Sequence, residues 1–249
     1  MRKIDNQNFL NIVHVGGRGG GVDFPLLSTQ FNKDVLNVLF DADENCIDHI
    51  KSQWGSRKII VKPFCLSNED GYSDLNINYD PYQNSLLEFN EKFGHYYHTG
   101  HDKKTDYLNS ETMKSLKKIK LKTNKLDTLV DDGSVPPPDV LLLSTTGSEL
   151  DILKGSLKAL QNSIIAVSSR THFAEIRHGG KLVGEMEDFM KKLGFILVKI
   201  EPSYIGYNRI PSEYRGAGVP VSGDLIYLLD PKLVKRKNDK VYKEKLLEL

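Results

Sequence analysis

The chain has 249 residues, enough to bury the core of one α/β domain with long loops. Its 34 basic and 33 acidic residues give a formal net charge of +1, which argues against a nucleic-acid partner. Cys46 and Cys65 are too few for a disulfide framework and lack metal-binding spacing. Because no apolar run is long enough for a signal peptide or a membrane span, we expect a soluble, cytoplasmic protein.

Short apolar runs in chain order predict β-strands, with helix-like segments between most of them. The predicted strands are residues 9–15, 35–40, 58–66, 140–143, 163–167, 195–200 and 224–229. Leucines at helical spacing predict an amphipathic helix over residues 147–160, and residues 184–193 predict another that ends at Gly194. Alternating strands and helices indicate a mostly parallel sheet covered on both faces.

The predicted organisation is one domain over residues 1–234, followed by a basic tail over residues 235–249. The domain contains a long insertion loop at about residues 78–110, and a loop of that length is commonly functional. We expect the tail to be a solvated helix, the alternative being contact with a membrane, a glycolipid or a partner. The oligomeric state stays open, a homo-oligomer included.

The first predicted strand ends in a run of glycines interrupted by one arginine: Gly16, Gly17, Arg18, Gly19, Gly20 and Gly21. Glycine lets the backbone approach a ligand closely because no Cβ intervenes. A Walker phosphate loop is excluded, since Val22 and Asp23 follow where lysine and serine or threonine are required. A dinucleotide fingerprint is excluded because Arg18 replaces a required glycine. S-adenosylmethionine, which has no pyrophosphate, stays compatible with the run.

An acidic residue follows the second predicted strand at the interval that a ribose-binding site requires. Asp41 stands directly after that strand, and Ala42 and Asp43 follow it. A carboxylate there can accept hydrogen bonds from the ribose hydroxyls. The glycine run and this acid together predict an S-adenosylmethionine site.

Six ordered segments resemble motifs of the FkbM family of S-adenosylmethionine-dependent methyltransferases, over nearly the whole chain. The family's V-D-V-G-A-N-x-G is similar to VHVGGRGG at residues 13–20, and its F-E-P-D-P-E-N to FDADEN at residues 40–45. CLSNEDGYSDL at residues 65–75 resembles the family's A-L-S-x-x-x-G segment. The others are NKLDTLV, similar to T-L-D-x-L, GSELDILKGSLKAL, similar to E-G-A-E-x-x-V-L-K-G-A, and the family's ending in GEMEDFMKKLGFILVKI and GDLIYLLDP.

The resemblance implies a Rossmann-like class I methyltransferase fold, with a seven-stranded, mostly parallel sheet and the cofactor at the strands' carboxyl ends. It implies that Cys65, Leu66 and Ser67 pack beside the adenine, and we add Ser144 to the cofactor site. Family members are mostly O-methyltransferases of sugar and macrolide-type hydroxyls. We therefore expect O-methylation of a sugar, surface glycan or related metabolite, with a role in polysaccharide biosynthesis.

The sequence departs from the family at several strand-end carboxylates. The family's K-I-D-V-E-G-A-E is here LLSTTGSE, which keeps only the final glutamate, Glu149. Ser168 and Ser169 stand where another acid is usual, and His14 replaces the first motif's aspartate. These departures leave two alternatives open: a catalytically degenerate methyltransferase-fold protein with a binding or structural role, or a transferase that uses another nucleotide donor.

The remaining candidates for an acceptor's base are His172, which follows the fifth predicted strand, and Glu149. His95, His98 and His101 have a spacing that would align on a helix, but they lie in a loop-like segment, so we expect no metal site. Tyrosines in two loop-like segments could stack on a sugar ring: Tyr96, Tyr97, Tyr107, Tyr204, Tyr207 and Tyr214. These loops are expected to cover the cofactor edge of the sheet and to contact a small-molecule or glycan acceptor.

Overall fold

The computed structural model describes residues 10–19, 35–54, 58–94, 97–98, 109–207, 219–230 and 232. Its strands are β1 Leu10–Val15, β2 Val35–Phe40, β3 Ile59–Lys62, β4 Cys65–Leu66, β5 Gly71–Asn78, β6 Tyr97–His98, β7 Ser115–Asn124, β8 Val140–Leu143, β9 Ala166–His172, β10 Phe195–Tyr207 and β11 Val219–Leu229. Its α-helices are α1 Ile47–Trp54, α2 Glu91–Gly94, α3 Asn109–Thr112, α4 Leu126–Asp131, α5 Glu149–Lys154, α6 Leu157–Asn162 and α7 Val183–Lys192. Short 3-10 helices lie at Gly17–Gly19, Glu44–Cys46 and Pro81–Gln83.

The main sheet has the strand order β3-β2-β1-β8-β9-β11-β10-β6. Its first five strands are parallel, and β11 runs antiparallel between β9 and β10. Seven of these strands form the mostly parallel sheet that the sequence predicts, and the two-residue β6 adds to its edge at Gly206 and Tyr207. The predicted Rossmann-like class I methyltransferase fold is confirmed.

The central strands of the main sheet are buried on both faces, whereas β10 near the edge exposes Ile196, Val198 and Ile200. Val13 and Val15 of β1 point into the larger core, which contains apolar side chains from α4, α5, α6 and α7. Leu10 and Ile12 of the same strand belong to a second apolar cluster, as the alternation of side chains along a strand requires. On this second face α1 packs Ile50 and Trp54 against Leu39 of β2.

The predicted helix over residues 147–160 is wrong as a single helix, because the structure divides it into α5 and α6. The break falls at Gly155 and Ser156. A Cβ on Gly155 would lie 2.1 Å from the carbonyl oxygen of Ser67, so this glycine allows a close backbone contact. The Ser156 hydroxyl also donates to the Ile152 carbonyl over 2.7 Å. The second predicted helix is confirmed as α7, and Gly194 follows it with a φ of +86°.

Several strands differ from their predicted bounds. The predicted strand at 58–66 is split into β3 and β4 around Pro63, which has no N–H to donate. The fifth strand runs over Ala166–His172 instead of residues 163–167, and β10 and β11 are longer than predicted. A second sheet of order β4-β7-β5 was not predicted. Its longest strand, β7, is mostly exposed and rich in lysine, which hides it from a hydrophobic pattern.

The strand order positions the functional site. The chain proceeds from β1 to β2 and β3 in one direction and places β8 and β9 on the other side of β1. The connections that follow β1 and β8 therefore diverge and leave a crevice at the carboxyl ends of the strands, where ligands of open α/β sheets bind. In the described part of the chain no helix is long and apolar enough to cross a membrane.

Candidate functional site

A cavity of about 350 Å³ opens at this crevice, within the size range of small-molecule sites. Apolar and acidic residues that follow β2 and β3 line one side, and hydroxyl-bearing residues that follow β8 line another. Arg170 of β9 and the segment 81–86 also contribute to the lining. The lining residues are Val15, Gly16, Arg18, Phe40, Asp41, Ala42, Asp43, Phe64, Cys65, Leu66, Leu75, Pro81, Tyr82, Gln83, Asn84, Ser85, Leu86, Ser144, Thr145, Thr146, Ser148 and Arg170.

Gly16, the first residue of the glycine run, joins the end of β1 to the residue after β8. Gly16 has a φ of +85° and donates its N–H to the Phe40 carbonyl over 2.9 Å. A Cβ on Gly16 would lie 2.1 Å from the Ser144 carbonyl oxygen, so no other residue fits this position without movement of the backbone. Gly17 packs beside Leu39 and begins a 3-10 helix that includes Arg18 and Gly19. The predicted site residue Gly20 lies outside the described residues.

Asp41 ties the glycine run to the end of β2. One of its carboxylate oxygens accepts the Arg18 N–H over 3.0 Å, and the other accepts the Asp43 N–H over 2.9 Å. The Arg18 guanidinium forms an ion pair with Asp43. Burial raises the pKa of Asp43, but hydrogen bonds from Asn45 and Arg18 outweigh it and hold that pKa below its ordinary value. This end of the site therefore combines two neighbouring carboxyl groups, Asp41 and Asp43, with one paired cation, Arg18.

The wall beyond Asp41 is apolar. The rings of Phe40 and Phe64 are tilted against each other with centroids 6.0 Å apart, and Leu66 is buried beside them. Cys65 also lines this wall, where burial and the charge of Asp41 raise its pKa to about 12. Its thiol is thus a packing group rather than a nucleophile. Ser67, predicted beside the adenine, is not among the residues that line the cavity; its carbonyl lies against Gly155.

The opposite wall is the loop that follows β8. Thr146 adopts a φ of +56°, which is strained for a β-branched side chain. Glu149 holds this loop: its carboxylate accepts the N–H groups of Thr145 and Gly147, each over 2.9 Å. These two bonds lower the pKa of Glu149, but burial outweighs them and holds that pKa above its ordinary value. Glu149 is 4 % exposed and is not among the residues that line the cavity.

Residues 81–86 form one side of the cavity mouth, so the first part of the predicted insertion loop reaches the site. The Thr146 hydroxyl donates to the Asn84 carbonyl over 2.9 Å, and the Ser85 hydroxyl donates to the Thr146 carbonyl over 3.0 Å. The buried Arg177 guanidinium donates to the carbonyls of Gln83 and Leu87. These bonds lock the segment against the strained loop.

Arg170 of β9 lines the β9 end of the cavity and was not predicted as a site residue. Its Nε and Nη2 groups donate to the two carboxylate oxygens of Asp224, over 2.9 and 2.8 Å. Asp224 stands opposite Arg170 on the antiparallel strand β11. The predicted bounds of β9 ended at residue 167, so the sequence did not show that Arg170 lies on the sheet.

His172 is buried at the end of β9 and is not among the residues that line the cavity. Burial, together with the charges of Arg177 and Arg170, lowers its pKa to about 4. The structure therefore does not bring the two predicted base candidates, His172 and Glu149, to the cavity surface.

Of the predicted cofactor residues, Gly16, Arg18, Asp41, Ala42, Asp43, Cys65, Leu66 and Ser144 line the cavity. The predicted loop residues His95, Tyr96, His101, Tyr107 and Tyr214 and the tail over residues 235–249 lie outside the described residues. Only the backbone is described for Tyr97, His98, Tyr204 and Tyr207. Within the described ranges, no group of three or more His, Cys, Asp or Glu residues could hold a metal ion.

The fold and the cavity define a Rossmann-like protein with a cavity at its topological switch point, where ligands of such folds bind. The methyltransferase FkbM domain matches residues 29–197, so the chain belongs to the FkbM methyltransferase family. No curated protein matches the chain. A solved structure that it is similar to is a TehB-like SAM-dependent methyltransferase from Corynebacterium glutamicum ATCC 13032 Kitasato, at 10% identity and a TM-score of 0.36, covering 90% of this chain and 82% of that one.

Proposed function

We propose that this protein transfers a methyl group from S-adenosylmethionine to a hydroxyl group of a sugar, a surface glycan or a related metabolite. The observation that carries the proposal is the division of one cavity into two chemically different ends. Asp41 and the apolar Phe40 and Phe64 lie at one end, and Thr145, Thr146 and Ser148 line the other. Such a cavity suits a nucleoside beside an acceptor that is recognised through hydroxyl groups.

The residues at the β2 end fit the cofactor. A carboxylate has about four acceptor positions, and the Arg18 and Asp43 N–H groups use two of those on Asp41. The others can accept the two ribose hydroxyls, while Phe64 and Leu66 would pack on the adenine. When bound, S-adenosylmethionine supplies a methyl group already activated by its sulfonium. The contribution required of the protein is then alignment of the acceptor and removal of its proton.

The residues at the β8 end suit an uncharged, polyhydroxylated acceptor. Thr146 and Asn84 offer hydrogen-bonding groups without net charge, and the half-exposed Tyr82 offers an aromatic face at the mouth. We include in this proposal a cytoplasmic location and a role in polysaccharide biosynthesis, carried out by one domain over residues 1–234. Contact of the tail with a membrane or a partner, and a homo-oligomeric state, stay predictions.

The base for the acceptor's proton stays a prediction. His172 remains the first candidate and Glu149 the second, although His172 is buried and both carboxylate oxygens of Glu149 already accept N–H groups. Glu149 could reach an acceptor only if the loop after β8 opened, and His172 only if the end of β9 became exposed to the cavity. Removal of the proton by solvent is the outcome expected if neither takes part.

The burial of His172 and Glu149 favours a second candidate function. A protein that binds the cofactor but lacks a base at the cavity surface would serve as a binding or structural partner. A transferase that uses another nucleotide donor is the remaining alternative, because glycine-rich crevices are not specific for a sulfonium.

The experiment is methyl transfer from labelled S-adenosylmethionine to a panel of nucleotide sugars and surface-glycan fragments. The unmodified protein is compared with His172→Ala, with thermal unfolding as the folding control. Transfer that His172→Ala abolishes supports the proposed base, and unchanged transfer removes His172 from the mechanism. Proven cofactor binding without transfer to any hydroxyl acceptor favours the binding protein, and copurification of a different nucleotide favours the other donor.

A further inference from the structure

Arg170 lines the cavity three strands away from the predicted ribose contact. Asp41 follows β2, whereas Arg170 belongs to β9, and the sheet order places β1 and β8 between those strands. Three strand spacings correspond to about 14 Å across the sheet. Since both residues line one cavity, the space beside Arg170 is available to the acceptor when the nucleoside occupies the Asp41 end.

The geometry of Arg170 is that of a fixed donor with unused capacity. A guanidinium carries five N–H groups. The bidentate pair with Asp224 uses one on Nε and one on Nη2. Among the described residues, no hydrogen bond engages Nη1 of Arg170, and its side chain is 41 % exposed. Asp224 therefore fixes the plane of the guanidinium and leaves the outer edge able to donate.

The charge around Arg170 is already balanced. Asp224 neutralises the guanidinium, and the buried Glu149 lies near enough to add to its stabilisation. The other cation that lines the cavity, Arg18, is paired with Asp43. An acceptor that brought a carboxylate or phosphate here would lose its hydration and meet no uncompensated positive charge. A neutral hydroxyl or ring oxygen can accept from the guanidinium edge without that loss.

We propose that Arg170 is a specificity-determining contact for an uncharged polyol acceptor, and that Asp224 is its positioning residue. The pair donates hydrogen bonds to acceptor oxygens and selects against acceptors with an anionic group at this end of the cavity. This inference rests on the proposed function, because it assumes that the nucleoside occupies the Asp41 end. It goes further by naming the two residues that select neutral over anionic acceptors.

The test uses the full chain saturated with S-adenosylhomocysteine, whose binding is measured first by calorimetry. Neutral methyl hexosides and the matching methyl hexuronides are then titrated by ligand-observed NMR. The two probe classes differ only at C6, where the hexuronide has a carboxylate in place of the hydroxymethyl group. We expect at least tenfold preference for neutral probes. Asp224→Asn keeps the side-chain size but frees the charge of Arg170, and should shift that preference at least tenfold toward the hexuronides.

Two further variants separate recognition from folding. Asp188→Asn makes the same change of charge on the exposed face of α7, and should leave the preference unchanged. Arg170→Lys keeps the charge without the planar fork, and should weaken neutral-probe binding about tenfold while S-adenosylhomocysteine binding is retained. Thermal unfolding of each variant reports its folding.

The outcomes distinguish this inference from the proposed function. A folded protein that binds no S-adenosylhomocysteine overturns the proposed function and this inference with it. If S-adenosylhomocysteine binds normally, three results overturn this inference alone. They are binding of neither probe class, equal binding of hexuronides and hexosides, and unchanged affinities for both probe classes in both Asp224→Asn and Arg170→Lys.

Discussion

The backbone at Gly16 lies against the carbonyl group of Ser144 so closely that a Cβ on Gly16 would be 2.1 Å from the carbonyl oxygen. The contact joins the residue after β1 to the residue after β8, and both residues line the cavity. Gly16 also has a φ of +85°, which disfavours any residue with a side chain. The shape of the cavity floor therefore depends on one missing side chain.

Replacement of Gly16 by alanine is expected to destabilise the protein. A positive φ costs an alanine about 1–2 kcal/mol, and the contact with Ser144 adds about 1–3 kcal/mol of overpacking. The control is Gly133→Ala, because Gly133 has a φ of +78° but no atom within 4 Å of its Cβ position. Urea unfolding should show a larger loss of unfolding free energy for Gly16→Ala. Equal losses would contradict the close contact.

The buried His172 should make stability depend on pH. Its pKa falls from an ordinary value of 6.5 to about 4, because of burial and the nearby Arg177 and Arg170. The unfolded chain thus binds a proton between these values that the folded protein does not. Stability is fully present above pH 6.5 and is lost toward pH 4, by about 1.4 kcal/mol per pH unit at most.

His172→Gln should remove this part of the pH dependence. Urea unfolding at pH 4.5, 5.5 and 7 should show the advantage of the unmodified protein over His172→Gln shrinking as the pH falls. The exposed His49 of α1 supplies the control His49→Gln, which should preserve the slope. A slope that survives in His172→Gln would show that His172 is not buried as a neutral group.

Most of the central sheet could be predicted from the sequence because its strands are buried on both faces. β8 is a continuous apolar run and β2 is interrupted only by Asn37, and the bounds of both strands are as predicted. The predicted bounds of β9 were wrong because its last five residues, 168–172, are polar although β8 and β11 flank the strand. β7 was missed because its exposed lysines conceal the period of a strand. Hydrophobic pattern reports burial, and it fails where a strand faces water or a site.

The site was partly predictable for a related reason. Glycines and acids directly after predicted strands must meet at one edge of a parallel sheet, and Gly16 and Asp41 do line one cavity. Arg170 and Asn84 could not be found this way. Arg170 lies on β9, which extends beyond its predicted end at residue 167. Asn84 lines the cavity because a hydrogen bond holds its segment against Thr146. Such contacts depend on tertiary packing that no local pattern reports.

No divalent metal should be required for cofactor binding or methyl transfer. Ser144 and Thr146 line the cavity with hydroxyl groups, whereas hard cations prefer carboxylates. Ser168 and Ser169, predicted at a strand end, lie within β9 and do not line the cavity. Treatment with EDTA followed by gel filtration should leave both properties unchanged, as measured by calorimetry and label transfer. The expectation would be contradicted if EDTA abolished methyl transfer and magnesium or calcium restored it. Zinc is added in a parallel sample for comparison.

The account depends above all on the binding of S-adenosylmethionine at Asp41, which calorimetric titration of the purified protein tests directly. We predict saturable binding of the cofactor or its demethylated product, weakened in Asp41→Ala by roughly 1.5–3 kcal/mol, about 10- to 150-fold, because hydrogen bonds to a charged group are lost. Asp48→Ala, at a fully exposed position on α1, should bind as the unmodified protein does. Absence of binding by the folded, unmodified protein, or equal affinity in folded Asp41→Ala, would contradict the account.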